Sequence, residues 1–182
     1  MAARTELATQ RLLLRPFRAD DVADALSYRD DEEFARFLPH IPLPFTRRDA
    51  QEFVSTNMTE PWEASPTFAV VLHGKVIGTV NLEVDAKTRT AMLGYAVGRA
   101  WWGQGFATEA AQAVMAWGIE AFSLVRVWAS TDARHLRSQR VLEKLGMQRE
   151  ALRVEDHVGR DGEWIDEVVY GLDGGARGEG PP

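Results

Sequence analysis

Residues Gly94–Thr108 read Gly-Tyr-Ala-Val-Gly-Arg-Ala-Trp-Trp-Gly-Gln-Gly-Phe-Ala-Thr, a strand-like run that breaks into a glycine-punctuated turn and opens onto an alanine-rich helix. The chemistry this spacing offers is anion binding. The first turn of a helix leaves four backbone N–H groups without intrahelical partners, and the macrodipole adds partial positive charge, so a pyrophosphate can be held there without a basic side chain. Gly103 and Gly105 would let the backbone come close to it. Ala110, Val114, Trp117 and Ala121 then recur at helical spacing on one apolar stripe. An ordinary strand-to-helix turn is the competing reading.

Two phosphate-binding patterns fit poorly. A nucleotide P-loop ends in Gly-Lys-Ser or Gly-Lys-Thr, and neither tripeptide occurs. A dinucleotide fingerprint needs a third glycine where Thr108 stands, and an acidic residue near Leu124, Val125 and Arg126. A dinucleotide oxidoreductase therefore stays as a runner-up.

The run Trp102-Gly103-Gln104-Gly105-Phe106-Ala107 resembles the Q/R-x-x-G-x-G/A loop of the GNAT N-acetyltransferase superfamily, and the longer WGQGFATEA string is similar to its ribosomal-protein alanine/serine N-acetyltransferase branch. His135-Leu136-Arg137-Ser138 followed by Arg140–Met147 resembles that branch's N-x-x-S-x-R-V-L-E-K-L-G-M helix, with His135 in place of the asparagine. The likeness runs from Arg11–Phe17 to the final strand. It implies an α/β (α+β) fold with a mostly antiparallel sheet of about seven strands and helices on both faces. It also implies acetyl-CoA as donor, a loop of Trp102, Gly103, Gln104, Gly105, Phe106, Ala107 and Thr108 on its pyrophosphate, and contacts from Tyr95, Ala96, Val97, His135 and Ser138.

Acetyl transfer to an amine needs a neutral amine, a stabilised carbonyl oxygen and a protonated leaving thiolate. A backbone N–H late in the strand Gly94–Val97 serves the oxygen if an antiparallel partner peels away and leaves donors unpaired. Ser138, one turn from His135, could supply the thiolate's proton, as the matching serine is thought to do in the resembled branch; alternatively it bonds a backbone carbonyl. Glu83 is the first choice of general base, the bland reading being an exposed edge charge. Asp156 and His157 are second choices, an imidazole being suited to proton transfer near neutrality. Phe37, Phe45 and Trp62, in proline-containing segments, are expected to wall the acceptor pocket or else to pack the core. Neutralising a lysine at pH 7 costs about 3.5 kcal/mol more than neutralising an α-amine, so an α-amine tolerates a weaker base. The acceptor expected is a protein N-terminus or small amine, attacked directly in a ternary complex. A non-catalytic coenzyme A-binding or regulatory module is the alternative.

Composition sets the bounds. The 182 residues, 45% hydrophobic, suit one domain over 1–173 with a disordered tail over 174–182. A net charge of −6 argues against a nucleic-acid footprint. With no cysteine there is no disulfide, thiolate metal site or acyl-cysteine relay, and no metal is expected. No apolar run spans a bilayer, so a cytoplasmic protein without a membrane partner is expected, a homodimer being allowed.

The elements that position these residues follow from their patterns. Leu12 and Leu14 mark a first strand, and helices are expected over Ala19–Arg29 and Arg47–Met58, separated by Pro39, Pro42 and Pro44. His73-Gly74 reads as a hairpin turn between strands 68–72 and 75–84, with a third strand over 91–97. A long helix, a strand over 125–130 and a helix over 134–145 capped by Gly146 come next. Asp161-Gly162 turns between two last strands, the second carrying Trp164, Val168, Tyr170 and Leu172 on one face.

Overall fold

A computed structural model describes residues Arg4–Gly174. The expected order of elements is present, with two additions. Strands β1 (Leu7–Ala8) and β2 (Leu13–Arg15) lead through a 3-10 turn to helices α1 (Val22–Arg29), α2 (Glu32–Ala35) and α3 (Arg47–Thr59). Strands β3 (Thr67–Leu72), β4 (Lys75–Asp85) and β5 (Thr90–Val97) form a meander, followed by α4 (Phe106–Ala121), β6 (Arg126–Asp132), α5 (Leu136–Lys144), β7 (Gln148–Val158) and β8 (Trp164–Asp173). The sheet has eight strands rather than seven, because the two-residue β1 is too short to show a period. Helix α2 is likewise a single turn, started by the Asp31 carboxylate accepting from the Phe34 N–H.

The strand order is β1-β2-β3-β4-β5-β6-β8-β7, and β5 with β6 is the parallel pair. A parallel pair needs a crossover, and α4 provides it. Alternation along β3 builds two cores. Phe68 and Val70 face one with α4 and α5, while Ala69 and Val71 face the other with α1, α2 and α3. The α4 stripe is shorter than its spacing suggests: Ala110 and Val114 are buried, Trp117 is partly so, and Ala121 lies in the open.

The turn chemistry follows expectation. His73 and Gly74 both take positive φ, as a two-residue hairpin demands. Gly146, at φ 81°, ends α5 with its N–H on the Glu143 carbonyl. Asp161-Gly162 sits inside a five-residue connection, with Gly162 N–H donating to Gly159. On β8, Val168 and Tyr170 are buried and Leu172 partly so, but Trp164 is 60% exposed, lying beyond Glu167, where the pairing of β8 with β6 ends. The expected tail over 174–182 lies, apart from Gly174, outside the described residues. Among them no helix is long and apolar enough to cross a membrane.

Candidate active site

Strand β4 stays paired with β5 over the whole length from Asp85↔Thr90 to Gly78↔Val97. Strand β6 does not: its register with β5 covers Thr90–Met92 against Arg126–Trp128, after which β6 continues with β8. The expected splay is therefore present, but the partner that leaves is the parallel neighbour rather than the antiparallel one. Backbone groups of Leu93–Val97 on the β6 side lose their ladder partners and face a cleft.

Two cavities open on this cleft. The larger, of about 590 Å³, is lined by β4, β5, β6, the β7–β8 end and the proline-containing segment after α2; the other, of about 470 Å³, runs from the end of β5 to the start of α4 and along α5. They share Phe37, Leu38, Tyr95, Ala96, His135 and Ser138. At that junction the Tyr95 hydroxyl lies 2.8 Å from Ser138 Oγ and donates to the Ser138 carbonyl at 3.0 Å. Burial pushes the Tyr95 phenol well up, so it stays protonated at neutral pH. Sequence reading placed both residues near a cofactor but did not join them, because a contact between a strand and a helix 43 residues apart leaves no local pattern.

The start of α4 has a geometry that can hold an anion. Gly103 and Gly105 have φ of 75° and 83°, and an added Cβ at Gly103 would meet nothing within 4 Å. Their role in the structure is thus conformational, since this left-handed geometry aims successive N–H groups the same way. Among the described residues no acceptor sits on the N–H groups from Gly103 to Thr108. The Trp102 indole donates to the Val97 carbonyl at 2.6 Å, which ties the loop to the end of β5 and gives a tryptophan a positional role at this point. Arg11 holds the other side: Nη1 donates to the Gln104 carbonyl at 2.9 Å, Nε to Glu109 at 2.7 Å, and its guanidinium covers the Phe106 ring at 4.4 Å. Although partial burial opposes it, hydrogen bonds from Thr9 and Arg11 hold the Glu109 carboxyl below its usual range. Arg137, Arg140 and Lys144 edge this cavity, Arg137 lying over the Trp102 ring at 4.9 Å. Those three cations were missed, although their spacing along one helix could have shown them. Of the expected loop residues, Gln104 does not line the cavity; its amide donates back to the Ala100 carbonyl.

His135 precedes α5, stacks on Phe37 with centroids 4.1 Å apart, and has Nδ1 3.5 Å from Thr131 Oγ1. Burial pushes its pKa down to about 4, so it is neutral at pH 7 and unsuited to proton abstraction there. Glu83, His157 and Phe37 all line the larger cavity. His157 Nδ1 lies 3.5 Å from Asp156 and 3.9 Å from Glu167, and ligand atoms of the three fall within 4.8 Å of one another. Asp156 also faces Arg153 at 3.9 Å.

Phe45 and Trp62 are corrections. Both are buried and line neither cavity: Trp62 packs on Phe68 at 4.8 Å in the α4 core, and Phe45 belongs to the α1–α3 core against Arg29. The prolines fix loops whose aromatic side chains turn inward, where they gain most by burial. Arg160, not anticipated, donates to the carbonyls of Ala35, Leu38 and Ile41 and so fastens the segment carrying Phe37 across the cavity.

Residues 11–148 match the acetyltransferase (GNAT) domain family. The uncharacterized N-acetyltransferase YnaD of Bacillus subtilis (strain 168) is 29% identical over 168 residues, 91% of this chain and 95% of that protein. The structure of an acetyltransferase (GNAT family) from Bacillus anthracis superposes with a TM-score of 0.82 at 28% identity, covering 93% of this chain and 99% of the other. The ribosomal L7/L12 alpha-N-protein acetyltransferase RimL, solved with coenzyme A, shares the fold at a TM-score of 0.83 and 15% identity, with 93% and 98% covered.

Proposed function

The chain belongs to the GNAT acetyltransferase family, and from that premise we propose that it moves the acetyl group of acetyl-CoA to a primary amine by direct attack in a ternary complex. The observation that carries this reading is the meeting of two cavities at Tyr95 and Ser138, beside a strand edge stripped of its partner. The residues of the narrower cavity fit the donor. Free N–H groups at the start of α4 suit its diphosphate, Arg137, Arg140 and Lys144 suit its remaining phosphate charge, and Phe34, Phe37, Trp101 and Val141 offer apolar wall to its arm. When bound, acetyl-CoA supplies a thioester whose carbonyl is open to attack.

The chain's own groups divide the rest of the work. Backbone N–H groups on the free edge of Leu93–Val97 aim at the carbonyl oxygen as charge gathers there. With the Tyr95 hydroxyl donating to the Ser138 carbonyl, the Ser138 hydroxyl can turn from Tyr95 to give its proton to the departing sulfur. Glu83, or His157 held between Asp156 and Glu167, takes the amine proton from the side of the larger cavity. As a consumer of this donor, the protein acts in the cytoplasm.

The chain has no cysteine and so adds no thiol of its own, and with cysteine-free acceptors a thiol reagent reports coenzyme A alone. Incubation with acetyl-CoA and a panel of peptides, ribosomal proteins and small amines is expected to release thiol only when an acceptor is present. No release with any acceptor, together with no binding of coenzyme A, would reject the reading.

A further inference from the structure

Arg29 closes α1, is 7% exposed, and still lines the larger cavity. The rings of Phe53, Phe45 and Phe34 surround its guanidinium at 3.9, 5.2 and 5.9 Å. Among the described residues no carboxylate lies within ion-pair reach, the neutral Tyr28 hydroxyl is the polar side chain beside it, and its Nε is a buried donor without a partner. The comparison within the chain is Arg15, equally buried at 6%, which meets Asp21 through two bonds of 2.7 and 2.8 Å. The carboxylate next to Arg29 in sequence, Asp30, is occupied by the Phe45 N–H. A buried cation without an anion is unfavourable, and its persistence inside a cavity points to charge that a ligand brings.

The surroundings agree. Asn57, Thr67 and Thr79 are buried polar residues of the same cavity wall. His40 also lines it and is held neutral first by burial and then by Arg29 and Arg160, so two guanidinium groups act on this region. The carboxylates lining the cavity differ in availability. Asp132 and Glu163 are tied to Arg134 at 2.7 and 3.4 Å, while Glu60, Glu83 and the Glu167–His157 pair are left towards an amine. The cavity therefore has a cationic site besides its acidic ones, and Tyr95 with Ser138 opens it to the donor.

We propose that the acceptor is a small amine that also carries a carboxylate, an amino acid or short peptide, and that Arg29 binds this carboxylate while the amine reaches the Tyr95–Ser138 junction. This rests on the acetyltransferase reading above. A planar guanidinium pairs with a carboxylate through two parallel bonds, and the Phe53 ring lies 3.9 Å from its central carbon. In the reaction the amine nitrogen bonds to the acetyl carbon, the carbon–sulfur bond breaks, the amine gives a proton to the base and the thiolate gains one. The acceptor's carboxylate only positions.

Dipeptides and their C-terminal amides have α-amines that titrate alike and differ in the carboxylate. Glycylglycine, alanylglycine and their amides are the probes, each assayed for kcat/KM by coenzyme A release and, as acetylated products, for binding by calorimetry. The free acids are expected to exceed the amides by about 10- to 100-fold in both readouts. Arg29→Met abolishes that ratio while acetyl-CoA binding measured by calorimetry is retained; Arg29→Lys, a second variant with the charge but not the fork, keeps a few-fold ratio. Amides that match the acids in the unaltered protein overturn the inference, and coenzyme A release with both leaves the acetyltransferase reading standing. No release with any amine overturns the two together. Preference for phosphoethanolamine over ethanolamine by a larger factor overturns the carboxylate assignment, and preference for an amidated octapeptide with aspartate at its second position overturns the small-amine assignment.

Discussion

At the scale of single residues, a hydroxyl pair and a neutral imidazole stand where the two cavities meet. Ser138→Ala is expected to lower kcat about 100-fold while the KM for acetyl-CoA moves only a few-fold, if its hydroxyl has the role proposed for it at the leaving sulfur rather than in donor binding. Turnover unchanged in that variant would take proton donation to the sulfur away from this hydroxyl. His135 carries a stability prediction. Folded, it titrates at about 4, and unfolded near 6.5, so between those values the unfolded chain binds the extra proton. Stability is whole above pH 6.5 and falls as pH drops towards 4. Urea midpoints for His135→Asn should show a flatter decline across this window, by on the order of 2 kcal/mol. A parallel pair of curves would contradict the burial assigned to it. These residues were legible by type and spacing, whereas Arg29 was not, since a buried arginine looks like any helix-end cation until its missing partner is seen.

At the scale of elements, the start of α4 does most of the positioning. Gly105→Ala places a side chain at φ 83°, which is expected to cost about 1–2 kcal/mol of stability. Coenzyme A affinity should fall with it; a variant with unaltered affinity and stability would show that this turn is not required. Arg11→Ala removes the bonds to Gln104 and Glu109 that hold the loop from the first strands. We expect a rise of about tenfold in the dissociation constant for coenzyme A, measured by calorimetry. The glycine loop and the helix behind it were readable because their signals are local. The Arg11 clamp was not, because it joins positions 98 residues apart. Phe45 and Trp62 misled for a related reason: proline marks a loop but does not say which way its aromatic side chains turn.

At the scale of the whole molecule, one departure from regular pairing creates the site. A meander and a final hairpin share a sheet through a short parallel register at Thr90–Met92, and its end leaves a cleft on which the two cavities meet. Strand and helix order fixed this topology in outline, as alternating patterns and turn residues do. The partner that leaves β5 was misassigned because strand identity does not reveal where a ladder stops. The central claim is that bare amides from Gly103 to Thr108 grip the diphosphate of the donor. Amide hydrogen exchange of the full chain with and without coenzyme A measures this directly. Slowed exchange confined to those amides and the free edge of Leu93–Val97 is the result expected; binding of coenzyme A that leaves the Gly103–Thr108 amides exchanging as before would contradict it.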